Sequence, residues 1–370
     1  MSEDLLRRLL WVSLPDQRAR RELYWMSRMP GTRVRAMAQQ EPVGSIDWIP
    51  STYRRPVKRF VEAGALAWVR GLDEQDPAEF DWVASLELCS LVTGQASRWR
   101  RAARRDGGRR PLQAVITWEN LPDQPLYKVP PYRQALNSCR DADLLLCMVD
   151  AARDHLLAND FDDELIRVVK PGVDTELFHP AAEPVDEPVV VFASPLADNK
   201  GIDRVLDAMA IVRREIPQAR LKVAGRGPLE HLVRAAAEQP GSGVELMGSL
   251  DTGGVADLMR SAAVFTTAPR PTWKWTEQLG LAYLEALACG LPIVTTRCGT
   301  NDEAVQPPNR LVDDDAEALA DSLLHFLRDP ALRAEVGATN RRYALTHHDL
   351  PTQCAAMGAA FAEVEALHRV

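Results

Sequence analysis

Glu277 and Glu285 stand eight residues apart in EQLGLAYLEALACGLPIVTT. On a 3.6-residue helix, eight positions come to about 80° beyond two full turns and about 12 Å of axis. Two carboxylates at that separation cannot share one reacting atom, but they can hold two parts of one long ligand. A carboxylate at a helix N-terminus is equally an ordinary dipole-compensating residue. Two other segments carry groups suited to phosphate. SPLADNKGIDRVL sets Lys200 and Gly201 at a helix start, and GRGPLE is a glycine-rich turn that holds Gly225 and Arg226. Cations and unpaired helix N–H groups are what a phosphate requires.

The elements that must position these residues follow from periodicity. In the second half, short apolar runs at Pro188–Ala193, Arg220–Ala224, Val244–Met247, Ala263–Thr267 and Pro292–Thr296 predict strands. Between them, Ile202–Arg214, Leu229–Glu238, Val255–Ser261 and Gln278–Cys289 repeat apolar residues at three and four spacing, which predicts one-faced helices. Strand alternating with helix means a parallel sheet covered on both faces, with ligands beyond the carboxyl ends of its strands. The first half repeats the rhythm. Strands are expected at Leu9–Ser13, Arg33–Met37, Ser45–Ile49, Asp81–Ser85, Gln113–Thr117 and Asp143–Val149, with helices over Asp16–Met29, Pro56–Arg70, Cys89–Arg105 and Tyr132–Cys139. HPAAEPVDEP, residues 179–188, lacks apolar periodicity and reads as a linker. The α/β reading is therefore two doubly wound domains, residues 1–178 and 189–349, followed by a terminal helix over 350–370.

The same words resemble a known family. EQLGLAYLEALACGLPIVTT is similar to the E-x7-E signature of retaining family 4 glycosyltransferases (glycosyl transferases group 1). LADNKGIDRVLDA resembles that family's first donor-phosphate loop, VAGRGPLE its glycine loop, CGTNDEAV its G-G-x-x-E segment and VVKPGVDTELFHP its hinge. The resemblance covers roughly residues 164–350 and is much weaker before them. It implies the GT-B fold, two Rossmann-like domains facing across a cleft with the C-terminal helix crossing back to the N-domain. It also implies transfer of a hexose from a UDP- or GDP-linked sugar to a hydroxyl acceptor, with no metal and no cofactor, since the nucleotide sugar is a substrate. Carried over residue by residue, Glu277 touches the sugar hydroxyls, Glu285 the ribose, and Lys200 the diphosphate. Gly225, Leu279 and Gly280 fall among the donor contacts, Gly280 letting backbone approach a phosphate.

Two departures bear on the site. Where the family places G-R-L ahead of its lysine, this chain has Ser194, Pro195 and Leu196, so an arginine is missing. Arg226, or Lys274 in PTWKWTEQ, is the candidate replacement; solvated surface charge is the alternative for each. Trp273 and Trp275 flank Lys274 and are read either as stacking groups or as packing. In the first half, SLPDQRARR follows the first strand without the paired glycines of many relatives. Glu87, Trp118, Glu119 and Asn120 remain as strand-end candidates, Glu119 to orient or deprotonate the acceptor hydroxyl or else to cap the next segment. His155, His347 and His348 are read as structural.

Composition narrows the class. Hydrophobic residues make up 46% and charged residues 26% of the 370 positions, a globular balance. The net charge of −8 argues against a nucleic-acid partner. Six scattered cysteines suggest free thiols, and neither a membrane-spanning run nor a signal peptide is visible, so a cytoplasmic address is expected. Arg98–Arg110 holds seven arginines, and Arg54, Arg55, Lys58 and Arg59 form a second basic group. On N-domain helices these could dock on the inner face of an anionic membrane, or be solvated faces. The competing function is a non-catalytic nucleotide-sugar binder or a pseudo-glycosyltransferase of the same fold.

Overall fold

The computed structural model describes residues 6–13, 17–39, 41–42, 46–54, 67–103, 110–121, 125–273 and 275–368. The chain divides into two compact units, Met1–Gly172 with Pro351–Val370, and Val173–Leu350.

In the first unit the order is β1 (Arg7–Val12), α1 (Gln17–Ser27), β2 (Thr32–Ala38), β3 (Asp47–Pro50), β4 (Tyr53–Arg54), β5 (Trp68–Val69), β6 (Trp82–Leu86), α2 (Leu91–Ala103), β7 (Leu112–Thr117), α3 (Pro130–Cys139), β8 (Leu144–Cys147), α4 (Asp150–Ala158) and β9 (Ile166–Val168). Seven strands form one parallel sheet in the order β3-β2-β1-β6-β7-β8-β9. β8 reads LLLC and is buried throughout, as a strand covered on both faces must be.

The second unit runs β10 (Val189–Ala193), α5 (Ile202–Glu215), β11 (Arg220–Ala224), α6 (Glu230–Ala237), β12 (Val244–Gly248), α7 (Thr252–Arg260), β13 (Val264–Thr267), α8 (Leu281–Ala288), β14 (Ile293–Thr296), β15 (Arg310–Val312), α9 (Ala316–Leu327) and α10 (Pro330–His347). Its six-stranded parallel sheet has the order β12-β11-β10-β13-β14-β15. Val190, Phe192, Leu221 and Val223 pack against Val205 and Met209 of α5 and Leu319 and Leu323 of α9. Side-chain caps fix several helix starts: Asp251 accepts from Gly254 N at 2.8 Å and Asp315 from Ala318 N at 2.8 Å.

α11 (Leu350–Leu367) returns to the first unit. There Glu365 accepts from Trp82 Nε1 at 2.7 Å and pairs with Arg7, while Phe361 lies against the Trp82 ring with centroids 4.5 Å apart.

The α/β architecture matches the sequence reading, with local corrections. Of the helix expected over Pro56–Arg70, residues 56–66 lie outside the described ones, and Trp68–Val69 is a strand paired antiparallel with Tyr53–Arg54. An aromatic beside a β-branched residue favours the extended form. Residues 179–188 fall inside the second unit, where Arg333 Nη2 donates to Val185 O at 3.2 Å and Arg341 Nη1 to Phe178 O at 2.8 Å. The six cysteines are free and buried.

Candidate functional site

In the second unit the strand order reverses between β10 and β13. Loops leaving the carboxyl ends of two such strands diverge and leave a crevice, the usual ligand position in open α/β sheets. Residues 194–201 leave β10 and residues 268–280 leave β13, and these loops carry Lys200 and Glu277. Lys200 Nζ lies 2.6 Å from Glu277 Oε2 and 4.5 Å from the centroid of the Trp275 ring. Both members of the ion pair are largely shielded, with side-chain exposures of 19% and 10%.

Backbone contacts hold that arrangement. Gly201, at φ 67°, lies so close to β13 that a side chain would run into the Ala268 carbonyl. Arg270 N donates to Asn199 O at 3.2 Å, Arg270 Nε donates to Asp198 O at 3.1 Å, and its guanidinium pairs with Asp203. Arg270 thus fastens the two loops together. On the far side Thr300 N donates to Glu277 O at 3.0 Å, and Gly299, at φ 58°, passes so near that a Cβ would meet that same carbonyl oxygen.

One expectation needs correction. Glu277 is not on the helix that carries Glu285: residues 276–280 are irregular, and α8 begins at Leu281 after Gly280, whose φ of 77° interrupts the helical path. The 12 Å axial spacing and the angular offset therefore do not apply to this pair. Glu285 is half-buried on α8. Leu279 is fully buried, so its side chain cannot meet a ligand, although its backbone can. Among the described residues, the N–H groups of Leu279, Gly280, Leu281 and Ala282 find no protein acceptor, which leaves a run of donors at the start of α8. Beneath them, Tyr283 Oη meets Thr267 Oγ1 at 2.8 Å and Thr295 Oγ1 at 2.9 Å. Burial, together with the nearby Glu277 charge, pushes this phenol far above its ordinary range, so it stays neutral.

The glycine loop sits beside the loop that lacks the family's arginine. Leu196 N donates to Arg226 O at 2.9 Å, and side chains at Gly225 and Gly227 would strike the carbonyls of Ser194 and Leu196. Arg226 is exposed and, among the described residues, has no carboxylate partner. Lys274, the other replacement candidate, lies outside the described residues. Trp273 is 82% exposed at the tip of a turn closed by Thr272 N donating to Trp275 O at 2.7 Å.

In the first unit the order reverses between β1 and β6, though residues 14–16 of the loop after β1 lie outside the described ones. Glu87 follows β6 with the strained φ of 66°. Its Oε2 accepts from Thr117 Oγ1 at 3.1 Å, and that oxygen accepts from Glu119 N at 3.2 Å. Glu119 Oε1 accepts from Leu121 N at 3.0 Å, the capping geometry held open as its alternative role. Trp118 Nε1 donates to the buried Glu22 at 2.6 Å, and Asn120 is buried. His155 joins this group: its Nε2 is 2.9 Å from Tyr127 Oη, and burial lowers its pKa while Glu119 acts in the opposite sense. Sequence reading named Glu87, Trp118, Glu119 and Asn120 here but missed Glu22, Tyr127 and the place of His155 beside them, and it missed Arg270 and Tyr283, because no spacing in the chain connects them.

The basic stretch divides. Arg98 is exposed, Arg100 is wholly buried against Asp143, and Arg101 pairs with Asp141. Residues 104–109, and Arg55, Lys58 and Arg59, lie outside the described residues. Among the described residues no three His, Cys, Asp or Glu side chains converge to hold a metal ion, and no helix is long and apolar enough to cross a membrane.

Residues 187–329 match the model of a family described as glycosyl transferases group 1. Over 287 residues the chain is 30% identical to the GDP-mannose-dependent alpha-(1-6)-phosphatidylinositol monomannoside mannosyltransferase of Mycolicibacterium smegmatis, covering 71% of each chain. Over 189 residues it is 32% identical to the GDP-mannose-dependent monoacylated alpha-(1-6)-phosphatidylinositol monomannoside mannosyltransferase of Corynebacterium glutamicum; the match covers 46% of this chain and spans about half that protein's length, 49%. The fold superposes on Anabaena Alr3699/HepE in complex with UDP and glucose with a TM-score of 0.74, covering 96% of this chain and 99% of that one. At 16% identity that likeness concerns the fold alone.

Proposed function

The chain belongs to the glycosyl transferases of group 1, and on that premise we propose that it moves a hexosyl residue from a nucleoside diphosphate sugar to a hydroxyl acceptor, with retention at the anomeric carbon. GDP-mannose is the first donor to test and an inositol lipid the first acceptor, because the relatives above are named for them. The observation that carries the reading is Lys200 Nζ held between Glu277 and Trp275, on the two loops that leave β10 and β13 where the strand order reverses.

In this reading the diphosphate lies against Lys200 and the N–H groups at the start of α8. As the bond from anomeric carbon to phosphate oxygen lengthens, negative charge grows on that oxygen. Fixed donors already aimed there stabilise it without reorganisation. Arg226 supplies the second cation in place of the missing arginine, since its loop is hydrogen-bonded to Leu196. Glu277 accepts hydrogen bonds from the sugar hydroxyls, Glu285 from the ribose, and Leu279 and Gly280 contribute backbone. Glu119 orients the acceptor hydroxyl, whose proton passes to the departing diphosphate. With cations and N–H groups meeting the charge, the reaction needs no metal ion. Arg98, exposed on α2, would help bring the protein to the cytoplasmic face of a membrane carrying the acceptor.

A thermal-shift panel of nucleotide sugars tests the donor half. A ligand at 100 times its dissociation constant adds about 2.7 kcal/mol to the folded state, so GDP-mannose should raise the melting temperature more than UDP-linked sugars. Radiolabelled mannose should then pass from GDP-mannose to a phosphatidylinositol mannoside. Binding with neither transfer nor hydrolysis would favour a non-catalytic binder, and a panel with no response would remove the proposal.

A further inference from the structure

We propose that Trp275 is a positioning residue that keeps the Lys200 ammonium at the diphosphate position when Glu277 turns to the sugar; this rests on the donor-site reading above. Lys200 Nζ has two neighbours of different kinds, the Glu277 carboxylate at 2.6 Å and the face of Trp275 with its centroid at 4.5 Å. A carboxylate neutralises the ammonium and competes with phosphate for it. An indole face attracts the cation through its quadrupole but leaves its charge free to act. The backbone of Lys200 is already fixed, since its carbonyl accepts from Ala268 N at 3.4 Å and Arg270 ties the adjoining residues to the second loop. What remains free is the four-carbon side chain, and the half-buried Trp275 ring restricts it. Trp275 is itself held by the backbone pair with Thr272, N to O at 2.7 Å and 3.4 Å. With Pro195 standing where the family has its arginine, placement of the lysine matters more.

The test is a double-mutant cycle on W275L and K200A, read by calorimetric titration with GDP and with UDP and repeated with guanosine and uridine. For whichever diphosphate the wild type binds, W275L should weaken affinity about fivefold and leave the affinity for the matching nucleoside unchanged. The loss should vanish in the K200A background, and W275F should recover most of it. Losses that simply add, or a W275L protein with unchanged diphosphate affinity, would overturn the role of Trp275. If K200A itself leaves diphosphate affinity intact, the donor-site reading falls instead. Should W275L fail to fold, pentafluorophenylalanine against phenylalanine at position 275 repeats the comparison with a ring of like shape. The pentafluorophenylalanine protein should bind GDP or UDP more weakly than the phenylalanine one, since its ring face no longer attracts the ammonium, and equal affinity would overturn the proposal.

Discussion

Glu277 holds the Lys200 ammonium at 2.6 Å in a site largely closed to water. A diphosphate that reaches Lys200 therefore meets a carboxylate already in place, and the sign of two substitutions follows. Glu277→Gln keeps the shape and removes the competing charge, so GDP should bind at least as tightly as to the wild type. Lys200→Ala removes the cation and should weaken GDP about tenfold or more. Sugar transfer should fall about a hundredfold in both. Calorimetric titration paired with a transfer assay separates binding from turnover, and weaker GDP binding by the glutamine variant would contradict the competition.

Gly299 and Gly241 form a matched test of close approach. Both have positive φ, 58° and 76°, but a side chain at Gly299 would meet the Glu277 carbonyl oxygen, whereas Gly241 has nothing within 4 Å. Gly241→Ala should cost about 1 kcal/mol of backbone strain. Gly299→Ala adds displacement of Glu277 and should cost about 2 to 3 kcal/mol and weaken donor binding as well. Urea unfolding of the two variants gives the comparison, and equal losses would show that the 276–280 loop yields freely.

The longer strands of the second unit were legible because they are apolar runs bounded by turns; Arg220–Ala224 matches the expected bounds residue for residue. β9 and β15 are three residues each, too short to stand out from loop sequence, and α9 and α10 likewise went unread. The part of the candidate site that the structure brings together, Lys200 with Glu277, was legible as words that follow strand ends. Its geometry was not. Apolar spacing continues through Gln278–Cys289, so it hid the break that Gly280 makes ahead of α8. The ties made by Arg270, and the contact of His155 with Tyr127, join residues far apart in the chain, which periodicity does not register.

Arg100 reads from the chain as one of a solvated basic run, yet it is a core residue. Its side chain is wholly buried, paired with Asp143 and donating to Pro111 O at 3.3 Å and to Asp141 O. Truncation would leave Asp143 with only the Gln113 N–H, donating at 2.8 Å, and the half-exposed His368 ring, Nε2 at 3.5 Å. Arg100→Ala should therefore cost about 3 to 5 kcal/mol. Arg101→Ala, which removes a half-exposed pair with Asp141, should cost less than about 1 kcal/mol. Denaturant unfolding ranks the two, and similar losses would return Arg100 to the surface.

His155 sets a pH dependence whose sign is fixed by its burial. Burial holds its pKa below the ordinary 6.5, with Glu119 opposing, so the folded protein keeps a neutral imidazole while the unfolded chain takes up a proton at about 6.5. Stability from this residue is thus complete above pH 6.5 and declines as pH falls from there toward the folded pKa, at most about 1.4 kcal/mol per pH unit. Below that value both states are protonated and the decline stops. Comparing urea unfolding of wild type and His155→Asn at pH 7.5, 6.5 and 5.5 isolates the contribution, which the asparagine variant should lack. Glu119→Gln removes the charge that raises the folded pKa, so its decline should continue to lower pH than in the wild type. A Glu119→Gln profile parallel to the wild type would mean that the carboxylate does not act on the imidazole, and the strand-end cluster of the first unit would lose its electrostatic link.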